Sequence, residues 1–189
     1  LMSSPPPPSH AAPLARLVGS SALRRAGVVL IGSWLVAASA WIEVPMYPVP
    51  MTMQTYAVLL VGALCGARLA SETLGAYLAQ GIAGLPLFAG GNAGLLYFMG
   101  PTGGYLVGFL LAAAFVGWLA DRGWNRHYGK LAVSLTVGHL IVFVPGVAWL
   151  AQLVGFEKAI VAGLVPFIFG TVLKSALAYA SVVALDRHR

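Results

Sequence analysis

Residues 85–105 read LPLFAGGNAGLLYFMGPTGGY, 21 residues without one charged side chain. So many glycines weaken any helix, and the segments on either side are apolar and long enough to lie in a membrane. An uncharged, backbone-rich loop between spans is either a passive connector or a lid over a ligand. The aromatic residues Phe88, Tyr97, Phe98 and Tyr105 favour the lid.

Composition supports that setting. Hydrophobic residues make up 59% of the 189 and charged ones 8%, with a mean hydropathy of +0.86, against about 25% charged residues in soluble domains. The chain reads as an integral membrane protein of one domain. Its net charge of +6 comes mainly from Arg in the tails and short loops, which reports topology and not nucleic-acid binding. A single cysteine, Cys65, excludes an internal disulfide.

Outward from the central stretch, about 20 apolar residues are needed per span, and on that ruler six segments emerge: 24–44, 52–66, 70–82, 103–120, 131–150 and 166–185. The expected fold is an all-α membrane protein, six transmembrane helices over 24–189. The preceding residues 1–23, rich in Pro, Ser and Ala, are expected to be a disordered cytoplasmic tail. Residues 27–42 read as a retained span, since no small-residue cleavage pattern follows them. Three prolines in the connector PMYPVPM (45–51) stop the first helix. The second and third segments are short, with Arg68 in the tight turn between them. GFEKAIVAGL (155–164) reads equally as a surface helix or as the start of the last span, and Pro166 suits a first helical turn.

Arg24 and Arg25, Arg68, the group Arg122, Arg126 and Lys130, and Arg187 and Arg189 fall on alternate connections; the others hold only Lys158. The positive-inside rule then places both termini in the cytoplasm and the loops 45–51 and 83–102 outside.

Lys174 stands eight positions into the last apolar segment, where a cation costs about 2.5–3.5 kcal/mol. It either snorkels to the interface or points inward to await an anionic ligand. No acidic residue lies within a turn of it, and Thr171 shares its helix face. Gln54 opens the second segment with an amide, donor and acceptor together; it suits a urea-like ligand, or is satisfied by the proline-rich connector. Asn92 and Thr102 lie among glycines, but no GxxxxGK[ST] pattern is present, so the chain has no visible ATP site. Glu72 reads as a helix-start and ion-pair residue near Arg68. His127 and His139 form no metal-ligand spacing, and no cofactor is implied. Trp41 is the tryptophan best placed to line a cavity.

The blocks PVPMTMQTYAVLLVGALCGARLA, GIAGLPLFAGGNAGLLYFMGPTGGYLVGF, ADR, GVAWL and PFIFGTVLKSALA resemble the biotin-specific S components of energy-coupling factor (ECF) transporters, the BioY family. The resemblance covers about residues 24–185. It implies a six-helix S-component bundle in a bacterial cytoplasmic membrane, with outward loops closing over biotin. It also implies a transmembrane coupling protein and two ATPase subunits as partners, the S component reorienting in the bilayer to release its cargo. Family members commonly carry Asp three residues before the lysine of the last helix, in a PGDxxK pattern; here Phe169, Gly170 and Thr171 precede Lys174. Biotin fits the residues already singled out. Its carboxylate matches Lys174, its ureido group amide and hydroxyl groups such as Gln54, Asn92 and Thr171, and its ring Trp41, Phe88 and Tyr97, with Thr102 a further expected substrate-binding residue. Small residues of the first helix, Ser33 and Ala37, are the expected face for the coupling protein. Two rival classes make weaker use of these residues. An intramembrane enzyme acting on a lipid or vitamin precursor needs acid, base or metal groups around one cavity, and only five acidic residues exist. A structural membrane subunit leaves Lys174 unexplained.

Overall fold

The computed structural model describes residues 12–19 and 21–187. Residues 1–11, on which most of the expected tail falls, lie outside them. Its later part is helical: α1 spans Pro13–Val18, with proline in the first turn, where its missing N–H costs nothing. Ala12 and Val18 are buried, and the Ala12 N–H donates to Asp121 Oδ1 at 3.4 Å.

Helix α2, Ala22–Ala40, is capped by Ser21, whose hydroxyl accepts from the Arg24 N–H at 3.4 Å. It stops four residues short of the expected end. The chain leaves it to form β1 (Glu43–Val44), paired antiparallel with β2 (Met51–Thr52) in the register Glu43 to Thr52 and Val44 to Met51. The three-proline connector becomes the tip of this small hairpin.

Helix α3, Gln54–Ile82, breaks at Gly66, whose φ of 76° and ψ of 170° are not helical. Gln54 and Tyr77 would stand about 34 Å apart in a straight helix, yet the Gln54 amide donates to the Tyr77 hydroxyl at 2.5 Å. The two halves of α3 therefore fold back on each other. Asp121 explains the turn: its Oδ2 accepts from the Ala67 N–H at 2.9 Å, at the start of the second half. A Cβ on Gly66 would collide with that carboxylate. The break lies two residues before Arg68, where the turn was expected, because only glycine adopts this φ without strain. Beside the turn, Glu72 pairs with Arg25 of α2 and, at 3.5 Å, with Arg68.

The remaining helices are α4 (Gly94–Phe98), α5 (Gly103–Asp121), α6 (Tyr128–Val154), α7 (Phe156–Gly163) and α8 (Phe167–Arg187). Residues 156–163 thus form a helix of their own, not the start of the last span. Five helices among the described residues, α2, α3, α5, α6 and α8, are long and apolar enough to cross a membrane. The chain is accordingly a multi-pass membrane protein. The folded-back α3 packs against α5, and α5 against α6, while most of α2 and α8 faces outward.

Ser33 and Ala37, the expected partner face, are packed within the chain itself. Both are buried. Gln80 of α3 donates to the Ser33 hydroxyl at 3.2 Å, and Gly32 lies against Thr73. The small residues of α2 serve its close approach to α3.

Candidate functional site

At the hairpin end of the bundle lies a cavity of about 40 Å³. The hairpin contributes Val49, Pro50 and Thr52 to its wall, the first turn of α3 contributes Gln54 and Thr55, and the glycine-aromatic stretch contributes Ala89, Tyr97 and Thr102. Aromatic side chains of three helices close the rest: Tyr105 and Phe109 of α5, Phe143 of α6 and Phe167 of α8. Tyr105 stacks on Phe167 with centroids 6.4 Å apart, and Phe143 meets both rings edge-on. The Tyr105 hydroxyl donates to the Gly163 carbonyl at 2.7 Å, which ties α5 to the end of α7.

Lys174 reaches this cavity from α8 and is 5% exposed. Its Nζ donates to the Thr52 carbonyl of β2 at 3.0 Å. Among the described residues no carboxylate pairs with it within 4.0 Å. The ammonium carries a full charge and three donors, so one backbone carbonyl leaves most of its capacity open. Gln54 is held on both sides: its Oε1 accepts from the Thr52 hydroxyl at 3.1 Å while its Nε2 donates to Tyr77. That fixes the amide's orientation and leaves one N–H and one lone pair.

Tyr97 and Thr102 share the cavity wall, and the Thr102 hydroxyl is buried without a hydrogen-bond partner. Burial pushes the Tyr97 phenol up from its ordinary value, so it stays a neutral donor. Its ring stacks on Phe88, with centroids 5.5 Å apart.

The other expected site residues stand behind the wall or outside it. Phe88 is fully buried, its ring edge-on to Tyr77 and seated over Gly81, where any Cβ would strike it. It positions Tyr97. Asn92 donates to the Ala89 carbonyl at 2.7 Å and closes the glycine turn. Trp41 is 63% exposed and lies against Gly91, covering the loop from outside. Thr171 does not line the cavity; its hydroxyl is buried without a partner. The structure therefore brings Lys174, Gln54, Tyr97 and Thr102 together and leaves Phe88, Asn92, Trp41 and Thr171 outside the wall. Sequence reasoning missed Thr52, Phe109, Phe143 and Phe167. Thr52 stands two residues before Gln54, but it meets Lys174 through a backbone carbonyl, which no side-chain pattern announces.

Comparison with known proteins decides the family. The BioY family model matches residues 12–189. The chain belongs to the BioY family. Among curated relatives, the biotin transporter BioY of Thermotoga maritima is 36% identical over 152 residues, covering 80% of this chain and 88% of that protein. The biotin transporter BioY2 of Lactococcus lactis is 32% identical over 162 residues, covering 85% and 88%. Among solved structures, the S-component for biotin from an ECF-type ABC transporter superposes with a TM-score of 0.77 at 25% identity, covering 87% of this chain and 92% of that one. The family is one of transporter components and not of enzymes.

Proposed function

We propose that this chain captures biotin outside a bacterial cytoplasmic membrane as the S component of an ECF-type ABC transporter. Its partners are then a transmembrane coupling protein and two ATPase subunits, which supply the energy this chain has no phosphate loop to supply. Six spans, with both termini cytoplasmic, follow if each half of the folded-back α3 counts as one; Arg25, Arg68 and Glu72 then cluster at the cytoplasmic end, where positive charge accumulates.

The observation that carries this reading is Lys174, a buried ammonium on a mostly apolar cavity, with no carboxylate partner among the described residues. A ligand's carboxylate would complete it. The aromatic wall suits biotin's fused ring, and the remaining capacity of Gln54, Tyr97 and Thr102 suits its ureido group, the few oriented polar groups of a small-ligand site.

The test is calorimetry of the detergent-purified chain with biotin beside Lys174→Ala. Removing one partner of a buried charge pair costs about 2–5 kcal/mol, so affinity should fall roughly 30-fold or more. Equal affinity of the two proteins overturns the assignment of Lys174. No binding by a folded wild type overturns the biotin reading itself.

A further inference from the structure

Four acidic residues have described side chains, and three are accounted for. Glu72 pairs with Arg25 and Arg68, Asp121 accepts from Ala67 and Ala12, and Glu157 is exposed in the first turn of α7. Glu43 is different. Its Oε2 is buried without a hydrogen-bond partner, and among the described residues no cation lies within ion-pair distance. A buried carboxylate oxygen without a donor is costly, and nothing in the packing of a two-residue strand requires one there.

The place of Glu43 in the fold suggests what it is for. It faces Thr52 across the hairpin ladder, and Thr52 is the residue that holds Gln54 and Lys174. Its Oε1 stands 3.6 Å from where a Cβ on Gly90 would be, beside the amide nitrogen of Asn92. Its charge also reaches the Tyr97 phenol, adding to the upward push of burial. A second, shallower pocket of about 190 Å³ is lined by Glu43 and shares Thr52 and Lys174 with the inner cavity. The carboxylate thus sits where hairpin and glycine loop meet, on the shallower pocket beside the cavity, with the acceptor capacity of its Oε2 unused.

We propose that Glu43 is a specificity residue that accepts N–H donors from the ligand's urea-like group, while Lys174 takes the ligand's acid end. The proposal rests on the biotin reading and deepens it. The site is then selective for ligands that carry an anion and an N–H donor group together. A ligand in which that donor group is cationic is favoured further, because a guanidinium can bind a carboxylate bidentately.

The experiment measures two affinities by calorimetry, for biotin and for the analogue in which an imino nitrogen replaces the ureido oxygen, a cyclic guanidinium at neutral pH. Wild type, Glu43→Gln and Glu43→Asp are compared. In Glu43→Gln the analogue should weaken about 10- to 100-fold, as expected on losing a charged acceptor, with a much smaller change for biotin. Glu43→Asp keeps the charge and should keep most of the wild-type ratio of the two affinities. An unchanged ratio in Glu43→Gln overturns the role of Glu43, as does a ratio in Glu43→Asp that falls as far as in the glutamine variant. Wild type that binds neither compound overturns the underlying biotin reading instead.

Discussion

Asp121 is a single carboxylate with two backbone partners from elsewhere in the chain. It caps the second half of α3 at Ala67 and receives the N–H of Ala12. The helix N-terminus at Ala67 adds a favourable dipole to the hydrogen bond. Replacing a capping carboxylate by alanine costs about 0.5–2 kcal/mol, so Asp121→Ala should unfold at lower temperature in detergent. The cavity lies at the other end of α3, so biotin affinity measured on the folded variant should stay unchanged. Equal melting of the two proteins would mean that the turn holds without its cap. Lys174 presents the contrasting case: its substitution removes an unmet charge and should affect binding far more than folding.

At the scale of elements, the reversal in α3 depends on one backbone conformation. Gly66→Ala places a Cβ at positive φ, which costs about 1–2 kcal/mol from handedness, and drives it into the Asp121 carboxylate. Gly75 lies in the second half of the same helix with open space where a Cβ would stand, and there alanine gains about 0.5–1 kcal/mol. The two substitutions should therefore move detergent-unfolding stability in opposite directions; movement in the same direction would show that Gly66 is not the hinge. This contrast also marks how far elements could be read from sequence. The helices α5, α6 and α8 were legible because long apolar runs end at polar clusters. The α3 reversal was legible as two short segments around Arg68, but glycine abundance hid which residue makes the turn. The end of α2 was misplaced because Trp41, Ile42 and Val44 continue the apolar run past Glu43, while backbone pairing with β2 diverts the chain. Ser33 and Ala37 show the same limit: small residues signal close packing, and nothing in the sequence says whether the neighbour is α3 or another protein.

For the whole molecule, the site was legible where a residue defied its surroundings and opaque where it matched them. Lys174 stands out in an apolar segment, and Gln54 opens one. Phe109, Phe143 and Phe167 are ordinary span residues by type, and only the packing of α5, α6 and α8 turns them toward one cavity. Trp41 shows the converse, a large aromatic near the loop that ends outside it. The arrangement also makes a global prediction. Because α3 folds back at Gly66, residues before Gln54 and after Ile82 must lie on the same side of the membrane, the side on which the cavity is covered by hairpin and loop. Tyr47 and Leu85 are both exposed and flank α3, and the one native cysteine is buried. Tyr47→Cys and Leu85→Cys should both react in intact cells with a maleimide that cannot cross the membrane, and Arg68→Cys should react only after permeabilisation. Labelling of Tyr47→Cys without Leu85→Cys, or the reverse, would mean that α3 crosses once. The loop 83–102 would then lie on the face opposite the hairpin, which the Gln54–Tyr77 contact forbids.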